Sequence, residues 1–196
     1  MPEVRRDQRR AAFEQFVAGT TDSLLRTAYL VTGDTGLAED LVQESLFRVA
    51  RRWSRVVSMD SPEAYARRIL VNLALDGSER RSRHRAELEV QSHPGGPPRW
   101  EAEIPWAGFS VVEARIELIR ALGELTARQR TALVLRYFDD LSEAEVASAL
   151  RCSVGTVKST TARALEKMRA LVEQQESADS TGYRVLACPE RKGERR

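Results

Sequence analysis

"SEAEVASALRCSVGTVKSTTARALEKM", residues 142–168, decides how this chain folds. Ser142 and Glu145 form a capping box that opens a short helix, "EAEVASAL". A three-residue turn, Arg151-Cys152-Ser153, follows Leu150, and Ser153 caps a second helix beginning at Val154. Two short helices joined so briefly match a helix-turn-helix. On the second helix Val154, Val157, Leu165, Met168 and Val172 share one flank, with Thr161 in the same stripe. The other flank shows Thr156, Ser159, Thr160 and Arg163, with Lys158 at its border, and no acid until Glu166. Short mixed donors near a helix N-terminus suit bases and phosphates in a major groove. A helical hairpin whose polar face meets only water is the competing reading.

Upstream, "TARQ" (Thr126 to Gln129) is another capping box, opening "RQRTALVLRYFDD". Further upstream, "SHPGGPPRWEAEIPWAG", residues 92–108, is too rich in Pro and Gly to continue a helix. A first helical block occupies about residues 9–85. In "AAFEQFVAGTTDSLLRTAYLVTG" the core side holds Phe13, Phe16, Val17, Leu24, Leu25 and Ala28, and Gly33 and Asp34 make a turn. In "GLAEDLVQESLFRVARRW" the positions Ala38, Val42, Ser45, Leu46, Val49 and Trp53 fall on one side. The opposite side holds Asp40, Gln43, Glu44, Phe47 and Arg51. Phe47 in the middle of that polar face marks either a partner surface or a ring that is simply exposed or covered by a neighbouring helix. Ser61 caps and Pro62 opens "PEAYARRILVNLALD", with Tyr65, Ile69, Leu70 and Leu73 inward and Arg67, Arg68, Asn72 and Asp76 toward solvent.

Strand signals are nearly absent, so the expected class is all-α, with two small helical domains joined by a flexible linker. The boundaries read as 9–85, a linker over 86–110, a second block over 111–174, and a tail over 175–196 expected to be disordered. The net charge of +2 says nothing about nucleic acid, but its distribution does. Residues 51–85 carry nine arginines against four acids. Arginine forks phosphates and guanine edges, although codon bias in a GC-rich genome would also raise its count. Cys152 and Cys188 have no metal-ligand spacing and His84 and His93 lie far from both, so neither a metal nor a disulfide framework is expected. No apolar run approaches a membrane span and "MPEVRRDQRR" lacks a signal-peptide core, so a reducing cytoplasm and no membrane partner are expected. Neither a Ser-His-Asp set nor a glycine-rich phosphate loop appears, so no enzyme and no cofactor is expected.

In order and spacing, "LLRTAYLVTGDTGLAEDLVQESLFRVARRW", "PEAYARRILVNLALD" and "RQRTALVLRYFDDLSEAEVASALRCSVGTVKS" together resemble sigma factors of the sigma-70 type. Within that type they resemble the extracytoplasmic-function (ECF) class and its SigE-like group. The resemblance covers roughly residues 11–83 and 113–172. It implies two all-α modules, region 2 and region 4, that bind core RNA polymerase, place it at a promoter and open the DNA, with no chemistry of their own. The family's "DLVQE" helix docks on the clamp of the largest catalytic subunit, which implies that role for Asp40, Gln43 and Glu44 and accounts for Phe47. The polymerase flap region is implied as a second contact. Arg67, Arg68 and Asn72 fall where the family holds the unpaired strand of the −10 element. A loop from about Ser54 to Ser61 beside this Arg-rich helix would help. Lys158, Ser159 and Arg163, with Thr156 and Thr160, match the region that reads the −35 duplex. Thr160 and Ala162 depart from the usual larger or cationic residues, and "DGSE" at 76–79 replaces a basic run, predicting a helix that ends near Gly77. A regulator that uses a similar helix-turn-helix outside polymerase, or an adaptor that binds only proteins, are the alternatives. Whether an anti-sigma factor is a further partner is left open by the sequence.

Overall fold

The computed structural model describes residues 2–85 and 118–185. The expected linker at 86–110, with Trp100 and Trp106, lies outside the described residues, as does Cys188. All regular elements among the described residues are helices. They are α1 (Pro2–Thr32), α2 (Thr35–Ala50), α3 (Trp53–Val56), α4 (Pro62–Arg85), α5 (the described helical residues 118–123), α6 (Ala127–Tyr137), α7 (Glu143–Leu150) and α8 (Val154–Val185).

The local sequence accounts for most helix ends. Gly33 turns the chain between α1 and α2 at φ +71, a left-handed conformation that glycine adopts without a Cβ clash. Asp34 then caps α2 by accepting from the Leu37 amide at 2.9 Å. Ser61 accepts from the Ala64 amide at 3.2 Å and Pro62 takes the first position of α4. Thr126 and Gln129 close their capping box at α6, and Ser142 and Glu145 close theirs at α7.

Two apolar clusters hold these helices. The larger joins Leu24, Ala28 and Val31 of α1, Leu41, Val42 and Val49 of α2, Val56 of α3, and Ala66, Leu70 and Ala74 of α4. Leu122, Leu125, Leu133, Val134 and Ala164 from the second half of the chain complete it. Trp53 sits at its rim between Phe13 and Phe16, with centroids 5.2 and 5.1 Å away, and donates its indole N–H to the Arg9 carbonyl at 3.0 Å. The smaller cluster is the interior of the helix-turn-helix: Ala132, Leu135, Val146, Ala147, Ala149, Leu150 and Val157. Val71 of α4 is buried in it, with Leu75 against it. The helical halves therefore pack on each other, with α4 between them.

That placement changes the expected faces of α4. Tyr65, Ile69 and Leu73 are only half-buried, whereas Ala66, Leu70, Val71 and Ala74 are buried. The cause is a second layer: α4 is covered by α1 and α2 on one side and by the helix-turn-helix on another. Four further expectations are corrected. The helix does not end near Gly77 but runs through it to Arg85, since a glycine inside a helix costs only about 1 kcal/mol relative to alanine. Trp53, expected at the end of α2, and residues 54–56, expected within the loop that follows it, together form the single turn α3. Helix α8 continues past 174 to Val185; no proline stands in its path until Pro189. Val154, expected on the apolar flank of α8, is 39% exposed at the first position of that helix.

Candidate nucleic-acid interface

The helix-turn-helix is fixed from its turn outward. Arg151 ends α7 in a left-handed conformation, φ 51 and ψ 49, and its amide bonds the Ala147 carbonyl. This reversal satisfies a carbonyl at the helix C-terminus and redirects the chain. Ser153 accepts from the Thr156 amide at 3.1 Å, and its hydroxyl lies 2.8 Å from the Thr156 hydroxyl. Val157 and Ala164 anchor α8 inward, and Thr161 returns its hydroxyl to the Val157 carbonyl at 2.8 Å. With that flank held, Thr156, Lys158, Ser159 and Arg163 are exposed together and Thr160 is half-buried at their edge. Lys158 lies 3.5 Å from Glu143 of α7, a surface pair that water screens strongly. The Ser159 hydroxyl donates to the Thr156 carbonyl at 3.1 Å, which leaves its lone pairs available. The face is a set of donors with one tethered cation, suited to phosphates and base edges.

The candidate residues of α2 lie on its outer face. Asp40, Gln43, Glu44 and Phe47 are all exposed, and Phe47 is 58% exposed. Glu44 pairs with Arg48 one turn on at 2.6 Å, and Arg51 stands 5.9 Å from the Phe47 ring centroid. An open aromatic ringed by charges differs from the apolar side of the same helix, where Ala38, Leu41, Val42 and Val49 are buried.

On α4 the three candidates have different surroundings. Arg68 lies over the Tyr65 ring, 5.4 Å from its centroid. Asn72 donates from its amide to the Arg68 carbonyl, and that amide also lies 3.5 Å from the Ala149 carbonyl of α7. Arg68 and Asn72 border a concave surface of about 570 Å³ with Phe47, Arg48, Arg51 and Arg151. Arg67 instead points into the packed interior. Its Nε stands 3.2 Å from Oδ2 of Asp139, with the two side chains 15% and 8% exposed. That approach is an ion pair in distance only, since the Nε–H lacks an aligned acceptor. Burial pushes the Asp139 carboxyl above the usual range, against the opposing pull of the Thr27 hydroxyl, Arg67 and Arg26. Glu145 is held below the ordinary range by the hydrogen bonds it accepts from Ser142.

The structure thus brings Arg68 and Asn72 together at one concavity, gathers the α8 set on one face, and turns Arg67 away from solvent. It adds residues that periodicity did not select. Thr27 of α1, fully buried, places its hydroxyl 2.8 and 2.9 Å from the two carboxylate oxygens of Asp139. Arg130 of α6 donates to the Val31 carbonyl at 3.1 Å and to the Gly123 carbonyl at 2.8 Å, joining the end of α1 to the segment before α6. One signal pointed to Thr27: it stands among Leu24, Ala28 and Val31 on an apolar side, and a buried hydroxyl requires a partner.

A capped helix-turn-helix with an open donor face, packed on a helical module with an outward acidic-aromatic face, defines an all-helical protein of the helix-turn-helix class. Known protein families agree with this. The family model described as sigma-70 region 2 matches residues 17–85, and that described as sigma-70, region 4 matches residues 115–168. The RNA polymerase sigma-E factor of Streptomyces coelicolor is 34% identical over 158 residues, covering 80% of this chain and 84% of that one. That of Streptomyces antibioticus is 33% identical over 161 residues, covering 82% and 84%. Among solved structures, Bartonella quintana RpoE, crystallised with the anti-sigma factor NepR, aligns at a TM-score of 0.63 with 23% identity, over 83% of this chain and 97% of that one. The ECF sigma factor SigJ of Mycobacterium tuberculosis aligns at 0.57 with 27% identity, over 80% and 53%. The chain belongs to the ECF sigma factors of the sigma-70 family.

Proposed function

We propose that this chain engages core RNA polymerase through α2, holds unpaired −10 DNA against α4, and reads −35 duplex with α8, so directing initiation at particular promoters. On α2, Asp40, Gln43, Glu44 and Phe47 face the clamp of the largest subunit, and the polymerase flap supports the helix-turn-helix module. On α4, Arg68 and Asn72 face the strand directly and Arg67 joins them once released from Asp139. On α8, Thr156, Lys158, Ser159, Thr160 and Arg163 meet the major groove. Residues 9–85 and 111–174 act as the two working modules and 86–110 as the connection. The protein works by binding alone, without catalytic chemistry or cofactor, in the cytoplasm, where an anti-sigma factor is a further partner. No helix among the described residues is long and apolar enough to cross a membrane.

The observation that carries this reading is the donor face of α8, held open by the Ser153 cap while Val157 and Ala164 secure the helix from behind. Run-off transcription with purified core enzyme tests it. The wild-type chain starts transcription without another sigma factor. A Lys158→Ala, Arg163→Ala variant still joins core enzyme but loses −35-dependent initiation, and each lost phosphate contact lowers the salt slope of binding by about one unit. Failure of the wild-type chain to join core enzyme or start any transcript would overturn the reading. Unchanged promoter occupancy in the variant would remove α8 from it.

A further inference from the structure

Five arginines border the concavity between α2, α4 and the turn before α8: Arg48, Arg51, Arg52, Arg68 and Arg151. Glu44 is the one carboxylate on that border, and Arg48 engages it at 2.6 Å. Among the described residues the other four guanidiniums have no ion-pair partner, whereas Arg10, Arg67 and Lys158 each stand beside an acid. Two of the four are set in place by one aromatic side chain. Arg52 donates to the Tyr65 hydroxyl at 3.2 Å, and Arg68 lies over the Tyr65 ring, 5.4 Å from its centroid. Arg51 stands beside the Phe47 ring in a similar way. Arg151 arrives from the turn of the helix-turn-helix, so the second half of the chain completes a cluster that the first half begins.

We propose that this concavity is a site for a compact polyphosphate of the nucleoside triphosphate class, with Arg51, Arg52, Arg68 and Arg151 on the phosphates and Phe47 against the base. Like charges gathered in one recess repel one another and concentrate anions there. Guanidinium forks match phosphate oxygens two at a time. The volume, about 570 Å³, falls within the roughly 300–1,000 Å³ of small-ligand sites. A single DNA strand is a poorer match, because it spreads its charges along its length while a triphosphate brings several to one place. Arg151 also stands outside the α4 set that faces the strand. A ligand seated here covers Phe47 and so competes with polymerase, a consequence that rests on the α2 reading given above.

Isothermal titration calorimetry on the full chain, at about 0.15 M salt and without magnesium, tests the site with ATP and inorganic tripolyphosphate as probes. One saturable site is expected for each, with ATP bound more tightly because only ATP offers Phe47 a ring. Arg151→Gln is expected to weaken ATP binding about tenfold, the scale of one charge-assisted hydrogen bond. Arg169→Gln, at an exposed position of α8 that does not border the concavity, is expected to leave it unchanged. Circular dichroism establishes that each variant is folded, and should Arg151→Gln not fold, Arg52→Gln carries the same expectation. Absence of saturable binding, or an equal loss in Arg151→Gln and Arg169→Gln, overturns the site. Tripolyphosphate bound as tightly as ATP removes Phe47 from it and assigns it to the phosphates alone. In titrations with core polymerase, ATP at about ten times its wild-type Kd should weaken the wild-type complex about tenfold and the Arg151→Gln complex about twofold. Equal weakening of the two overturns the competition. A wild-type chain that does not join core polymerase without ATP overturns the α2 reading instead, and calorimetry still decides the site.

Discussion

Phe47→Ala separates folding from polymerase binding. The ring is 58% exposed on the outer face of α2, so the fold gains little from it. A phenylalanine presents roughly 200 Å², so a partner that covers this ring removes about 115 Å² from water. At about 25 cal/mol per Å² that is close to 3 kcal/mol, or about a hundredfold in Kd. Arg51, 5.9 Å from the ring centroid, loses its aromatic neighbour in the variant as well. For the isolated chain, a surface substitution outside the core shifts stability by about 0.5 kcal/mol or less. Equilibrium titration of labelled chain with core polymerase measures the first quantity, and urea unfolding the second. The expected result is a tenfold to hundredfold weaker complex with an unfolding midpoint near wild type. A Kd within about threefold of wild type would refute the docking role of this ring. A stability loss as large as the binding loss would show that Phe47 serves the fold instead.

Stability is expected to depend on pH through Asp139, which faces Thr27, Arg67 and Arg26. Its folded-state carboxyl lies above the ordinary value, so the folded chain binds the proton more tightly; this contribution to stability is fullest at low pH and is lost as pH rises through the raised value. Urea unfolding from neutral to mildly acidic pH measures this, and Asp139→Asn, which imitates the protonated acid, should be at least as stable as wild type at neutral pH. Ser142→Ala removes the cap of α7 and should cost about 1 kcal/mol in urea unfolding; Glu145 loses the hydroxyl bond that helps hold its carboxyl low and keeps the one from the residue-142 amide. Arg151→Gly should stabilise the helix-turn-helix by up to about 1 kcal/mol, because the left-handed turn at φ 51 no longer carries a Cβ, and a lower melting temperature would contradict that.

Local rules carried the sequence a long way. The caps expected at Ser61, Thr126, Ser142 and Ser153 are present, and Asp34, expected only in a turn, also caps α2. The inward side of α2 agrees with its spacing, since one face of that helix meets α1 and α4 while the other stays open. On α4 the same method found Leu70, and Tyr65, Ile69 and Leu73 that pack against the larger cluster, but missed the second buried side at Val71. Periodicity assumes one wet side, and α4 is covered on two. Arg67 followed from the same assumption: an arginine on a presumed solvent face is buried beside an acid 72 residues later in the chain. No helical period encodes a pairing of that separation. Gly77 shows a different limit, because a weak local preference to end a helix yields to the residues that continue it on both sides.

Being covered on two sides limits how α4 can change over time. Ala66, Leu70 and Ala74 answer to one neighbour and Val71 and Leu75 to another. On the proposed reading of α4, only a narrow stripe is left for adapting to new promoters. Drift in such a helix should therefore collect at few positions, and a change of DNA preference is more readily achieved by altering the loop before α4 than the helix itself.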